Sequence, residues 1–232
     1  MLYSALRAAA ASIRNRSHER RADLFIELMR PRPGQTLLDL GGGDGSLAAR
    51  IASRVDVRVT VADMEDTRLL ARERYGFAEV QLLETGPLPL DDRSFDLVLC
   101  NSVIEHVTLP RAECARPGVA EREWRERSAA ARKTFADEIR RVGRGWFVQT
   151  PHRAFPIDAH TWLPLTNFLS HEAARKLVRV TDRVWVKKCG VADWHLLGTD
   201  DVRRLFPESA LYIERIAGIP KSLIAFRPRA PV

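Results

Sequence analysis

Gly41, Gly43 and Gly45 alternate along a run that begins with Asp39 and closes on Ser46-Leu47. Glycine carries no Cβ, so a backbone built this way can approach a ligand closely and offer it peptide N–H groups. Thr36–Leu40, just before, reads as a strand, and Ser46–Arg54, just after, as a helix. The positive end of that helix would face the same ligand. Two nucleotide-type cofactors use such a turn. The dinucleotide fingerprint G-x-G-x-x-G is not met, because Ser46 stands where its third glycine belongs and the glycine comes one residue early. The phosphate-gripping loop is excluded, because no Gly-Lys-Ser/Thr follows.

What remains, Asp39-x-Gly41-x-Gly43-x-Gly45, resembles motif I of the class I S-adenosylmethionine-dependent methyltransferases. There the loop carries the methionyl part of the cofactor. The resemblance implies cofactor contacts from Asp39, Gly41, Gly42 and Gly43. Asp63 follows the predicted strand Val57–Ala62. A carboxylate at that place can accept hydrogen bonds from both ribose hydroxyls; the alternative is a helix N-cap. Met64 is set either against a purine face or in the core. Leu83–Val98 is similar to the family segment in which a third strand ends near the adenine, which implies Glu84 or Thr85 at its edge, where the family more often has Asp followed by Ala. Asn101-Ser102-Val103-Ile104-Glu105-His106-Val107 resembles the segment after the fourth strand. It implies Asn101 at the methionyl portion and His106 touching cofactor or substrate, the alternative being a capping histidine.

The acceptor side is expected after the fifth strand. Gln149–Leu165 places His152, Asp158 and His160 within nine residues, interleaved with aromatics. It resembles a subgroup of small methyltransferases with T-P-N-R-x-F-P-I-E-x-H-T, except that His152 replaces Asn and Asp158 replaces Glu. A His–Asp pair can accept a proton from a hydroxyl, so His160, His152 and Asp158 are the catalytic candidates. Their structural alternative is a proline-bounded loop whose histidines bind backbone carbonyls. Methyl transfer from a sulfonium depends chiefly on aligning two reactants in a dry site. No G-x-S-x-G elbow and no H-E-x-x-H helix occurs, and no metal ligand is expected. Trp162, Phe168, Trp185 and Trp194 read as core or pocket wall.

The elements that must hold these residues alternate strand and helix, the pattern of a parallel sheet covered on both faces. The expected fold is α/β, a Rossmann-like doubly wound sheet of seven strands, mostly parallel with an antiparallel last strand. Its remaining strands are Val80–Leu83, Phe95–Cys100, Trp146–Gln149, Leu211–Ile216 and Ser222–Phe226, with helices at Glu65–Tyr75 and Ala120–Arg141. Residues 1–30 are expected to form a helical lid. Residues 31–232 form one domain with cap insertions at about 109–145 and 151–197.

The chain has 232 residues and a net charge of +7. The excess is arginine scattered through helical runs, so no nucleic-acid strip is indicated. The arginine-rich, acid-free start permits a transit peptide or a helix touching an anionic membrane. Three cysteines without a C-x-x-C pair point to a reducing, cytoplasmic setting. The function expected is transfer of a methyl group from S-adenosylmethionine to a small or lipid- or glycan-linked acceptor, at oxygen. The alternatives are an RNA or protein methyltransferase and a non-catalytic cofactor-binding protein. Oligomeric state stays open.

Overall fold

The computed structural model describes residues 2–84, 86–184 and 189–230. Seven strands form one sheet: β1 (Thr36–Leu40), β2 (Arg58–Asp63), β3 (Ala78–Gln81), β4 (Leu97–Asn101), β5 (Trp146–Pro151), β6 (Ala210–Ile216) and β7 (Ile219–Arg227). Their order is β3-β2-β1-β4-β5-β7-β6. All neighbours are parallel except that β7 runs antiparallel to both β5 and β6. This is the doubly wound sheet the alternation of apolar runs predicts. The central strands β1, β4 and β5 are apolar and buried, as a strand covered on both faces must be.

Among the described residues seven helices and two 3-10 turns precede or connect the strands: α1 (Leu2–Met29), α2 (Ser46–Ala52), α3 (Arg68–Tyr75), α4 (Arg111–Cys114), α5 (Glu121–Val142), α6 (His171–Val184) and α7 (Thr199–Leu205), with turns at Ile104–His106 and Thr166–Phe168. One face of the sheet is covered by α1, α2 and α3, through Phe25, Met29, Ile51 and Ala71. The other is covered by α5 and α7, through Ala136, Ile139, Val202 and Phe206. The chain winds β1-β2-β3 to one side and then crosses to β4 on the other. The carboxyl ends of β1 and β4 therefore flank the switch point, where open α/β sheets bind ligands.

Local differences from the sequence reading have local causes. The third helix starts at Arg68 and not Glu65, because the Asp63 carboxylate captures the Glu65 N–H at 2.9 Å and holds a turn there. β3 lies two residues earlier than expected. Phe95 contributes only an isolated bridge to Gly143, so β4 begins at Leu97. Trp162 and Phe168 are exposed and not core; Trp185 lies outside the described residues.

From Asn15 onward α1 is a packing helix. Arg50 of α2 and Arg54 just after that helix pair with Glu19, and Arg54 also with Asp23. Phe25 meets Phe147 with ring centroids 5.5 Å apart. Arg20 and Arg21 both reach Glu214, a buried carboxylate on β6. Among the described residues no helix is long and apolar enough to cross a membrane.

Candidate active site

A cavity of about 760 Å³ opens over the carboxyl ends of β1, β2 and β4. That is within the range of about 300–1,000 Å³ usual for small-molecule and cofactor sites. Of the residues expected from the sequence, Gly41, Asp63, Met64, Glu84, His106 and His160 line it. The two expected cap segments meet there as well, through Arg111, Phe135 and Glu138 from one and His160, Asp193 and Trp194 from the other. The second half of α5 is at the same time the ordinary sheet-covering crossover between β4 and β5.

The glycine turn is shaped by its neighbours. Gly41 has φ +73°, and a Cβ on it would sit 2.4 Å from Val103 Cγ2. A Cβ on Gly42 would lie 2.4 Å from the Asp39 carboxylate. The loop thus rests directly on Asp39, which is buried beneath it and not on the cavity wall. Burial, with Asp63 and Asp44 nearby, pushes the Asp39 carboxyl up from 3.8 to about 7. Gly43 N–H donates to Asp63 Oδ2 at 2.8 Å, tying the turn to the end of β2. The two Asp63 oxygens each hold one backbone N–H, which leaves lone pairs on both for a ligand.

Two buried acceptors here have no hydrogen-bond partner in the structure: Asp39 Oδ2, and Asn101 Oδ1 at the end of β4. They stand on neighbouring strands at the switch point. Unpartnered buried acceptors are costly, and these suit a ligand that brings an ammonium donor to the strand ends. The methionyl end of S-adenosylmethionine is such a ligand. Met64 is 44% exposed in the cavity wall, so a face of its side chain is open to a ring. Glu84 Oε1 accepts from the Arg111 N–H at 2.6 Å. Thr85 lies outside the described residues.

The expected catalytic residues separate. His160 is at the cavity. Asp158 is fully buried behind it, with Oδ1 at 3.1 Å from His160 Nδ1 and Oδ2 accepting from the backbone and hydroxyl of Thr161. Burial alone would raise the Asp158 carboxyl; the bonds from His160 and Thr161 hold it below the usual range. Asp158 therefore touches His160 and not the cavity. His152 is away from the cavity: its Nδ1 accepts the Ala154 N–H at 3.0 Å, and its backbone bridges to Leu197 and Lys221. Its position two residues before Ala154 makes it the pin of a turn, which explains why a residue read as a proton acceptor faces inward.

Sequence reasoning missed the partner of His160. His106 Nε2 lies 3.1 Å from His160 Nε2, and His106 Nδ1 lies 2.9 Å from Asp193 Oδ1. The result is a row of close polar contacts, Asp158–His160–His106–Asp193, of which His160, His106 and Asp193 line the cavity. Burial works against charging His106, but the bond to Asp193 and the charge of Glu105 outweigh it and hold its pKa above the ordinary value. Trp194 stacks on His160 with centroids 4.6 Å apart and fixes the ring plane. The run Ala192-Asp193-Trp194-His195, an acid between apolar and aromatic residues, is the signal that could have marked Asp193.

Comparison with known proteins agrees with this geometry. Residues 38–119 match the family described as a methyltransferase domain. An uncharacterised methyltransferase of Mycobacterium tuberculosis is 34% identical over 102 residues, which are 41% of this chain and 50% of the relative. A ubiquinone/menaquinone biosynthesis C-methyltransferase of Rubrivivax gelatinosus is 35% identical over 86 residues, 36% of this chain and 34% of the relative. The chain thus spans about half the length, or less, of these curated relatives. Phosphoethanolamine N-methyltransferase 2 of Haemonchus contortus, solved with S-adenosyl-L-methionine, shares the fold at a TM-score of 0.50 and 13% identity, over 84% of this chain and 37% of that one. The matched stretch begins at β1, takes in the glycine turn, Asp63 and His106, and lies on the seven-stranded sheet whose switch point holds the cavity; over residues 38–119 the chain is similar to the methyltransferase domain, on a fold like that of class I S-adenosylmethionine-dependent methyltransferases.

Proposed function

We propose that the chain transfers the methyl group of S-adenosylmethionine to a hydroxyl oxygen of a small or lipid- or glycan-linked acceptor. The observation that carries the oxygen reading is the row Asp158–His160–His106–Asp193 at the wall of the cavity that also holds Gly41 and Asp63. S-adenosylmethionine supplies an electrophilic methyl on a sulfonium. Gly41, Gly42 and Gly43 carry its methionyl part, with Asp39 and Asn101 as acceptors for its ammonium. Asp63 takes the ribose hydroxyls, Met64 lies against the purine, and Glu84 meets the adenine edge.

A hydroxyl loses its proton on methylation, and a group must take it. Both imidazoles have Nδ1 at a carboxylate, which leaves their two Nε2 atoms to face each other. Two neutral rings would then meet lone pair to lone pair. The pair has room for one proton between them, and a proton released by the acceptor fills it. The fully buried Asp158 and the stacked Trp194 fix His160 for that role. The cap segments 109–145 and 151–197 enclose the acceptor, and the start of α1 acts as the lid. Cys100 and Cys114 are buried thiols, which fits a cytoplasmic setting.

Calorimetry should show S-adenosylhomocysteine binding at micromolar-scale affinity and no response to NAD. Asp63→Ala should weaken that binding at least tenfold. A panel of phenols, quinols and glycolipids incubated with methyl-labelled donor should give an O-methyl product by NMR. A C- or N-methyl product would overturn the oxygen reading. His160→Ala should lower turnover at least a hundredfold with donor affinity unchanged.

A further inference from the structure

We infer that Glu105, His106 and His160 form a binding site for one divalent transition-metal ion on the cavity wall. Each offers a ligand atom, and the three atoms lie within 4.8 Å of one another. The site goes beyond the methyl-transfer reading and does not depend on it.

Three observations carry it. The first is Glu105, which is fully buried, with neither carboxylate oxygen hydrogen-bonded in the structure. A carboxylate taken out of water needs a positive partner held close. Arg21 is near enough to feel its charge, but the hydrogen bond and ion pair of that guanidinium go to Glu214. The second is the facing pair of Nε2 atoms at 3.1 Å. Two imidazoles on one ion, with metal–nitrogen bonds of about 2.0–2.1 Å and angles of about 90–110°, place their nitrogens roughly 2.8–3.4 Å apart. The third is what stands behind each ring. His106 Nδ1 is at Asp193 and His160 Nδ1 is at Asp158, so each ring's remaining nitrogen is presented to the common point. Carboxylates behind ligating imidazoles are the usual outer shell of protein metal sites.

Two imidazoles and one carboxylate suit zinc, cobalt, iron or nickel and do not suit magnesium or calcium, which take oxygens. Three protein ligands leave at least one coordination position. His106 and His160 both line the cavity, so that position faces the space for the acceptor, where water or an acceptor oxygen can fill it. A proton and a cation are alternative occupants of the point between the rings.

The test uses the full chain, stripped with a chelator and then titrated with Co(II) chloride in the absence of donor and acceptor. One equivalent should bind, with visible d–d absorption of a nitrogen–oxygen site, and Zn(II) chloride should displace it. His160→Phe keeps a ring against Trp194 and removes the nitrogen; it should lower Co(II) affinity at least a hundredfold. Glu105→Gln should lower it at least tenfold, and Asp193→Asn by roughly ten- to a hundredfold. No saturable binding to the wild-type chain would overturn the site. So would one equivalent bound equally well by folded His160→Phe, which would place the ion elsewhere. Glu105→Gln binding as wild type would return Glu105 to a counter-charge for Arg21 and sink the three-ligand site. Melting curves and S-adenosylhomocysteine binding by each variant report folding separately. Loss of S-adenosylhomocysteine binding by the wild type would sink the cofactor reading and leave the metal titration standing.

Discussion

Asp39 shows how one residue of the glycine motif sets a pH dependence for the whole chain. Its carboxyl lies under Gly42, and burial with two neighbouring acids pushes it from 3.8 to about 7. The folded chain therefore keeps a proton that the unfolded chain has already lost. Between about pH 4 and pH 7 the folded state binds more protons, so stability falls as pH rises and returns on acidification. Asp39→Asn removes this slope while keeping the shape. It should be more stable than wild type at pH 8 by roughly 2–4 kcal/mol and nearly equal at pH 4, read by urea denaturation across that range. A variant curve parallel to wild type would show that Asp39 is ionised in the free protein. At the same scale, Asp39, the glycines and Asp63 were legible because they lie in one short run and on one pair of strands. The His106–His160 contact was not. It joins residues 54 positions apart, and spacing in sequence reports only neighbours along the chain. His152, at the start of a turn, had the right chemistry and the wrong direction.

At the scale of elements, α1 couples the start of the chain to the middle of the sheet. Phe25 lies fully buried against Phe147 of β5, and Arg20 and Arg21 close on Glu214 of β6. Phe25→Ala leaves a cavity between helix and sheet and should cost about 3–5 kcal/mol in denaturant unfolding. A loss under 1 kcal/mol would mean that α1 is not part of the cooperative unit. The helical periodicity of this segment was visible in the sequence. Its partner surface was not, because an amphipathic stripe states that a face is buried but not against what. The boundaries of α3 and β3 were misplaced for a related reason. A side-chain bond from Asp63 to the Glu65 N–H decides the helix start, and propensity carries no such information.

At the scale of the molecule, donor and acceptor machinery come from different layers. In the proposed reading the glycine turn sits on the sheet, while His160, Asp193 and Trp194 sit on the segment proposed as the cap. Binding of S-adenosylhomocysteine should therefore slow amide exchange in residues 41–46 and 189–194, with little change in β4 and β5, which are already buried. Equal slowing across the sheet would point to a global change instead. The strand order carries one more implication. β7 follows β6 in the chain yet lies between β5 and β6. While a ribosome is still making residues 219–227, β5 has a bare edge and β6 has no partner in the sheet. An unfinished chain must wait with the apolar start of β5, Trp146-Phe147-Val148, open on one side, where an edge can recruit another chain. β7 is the strand that closes this opening, so the yield of folded protein in a cell depends on how soon it arrives.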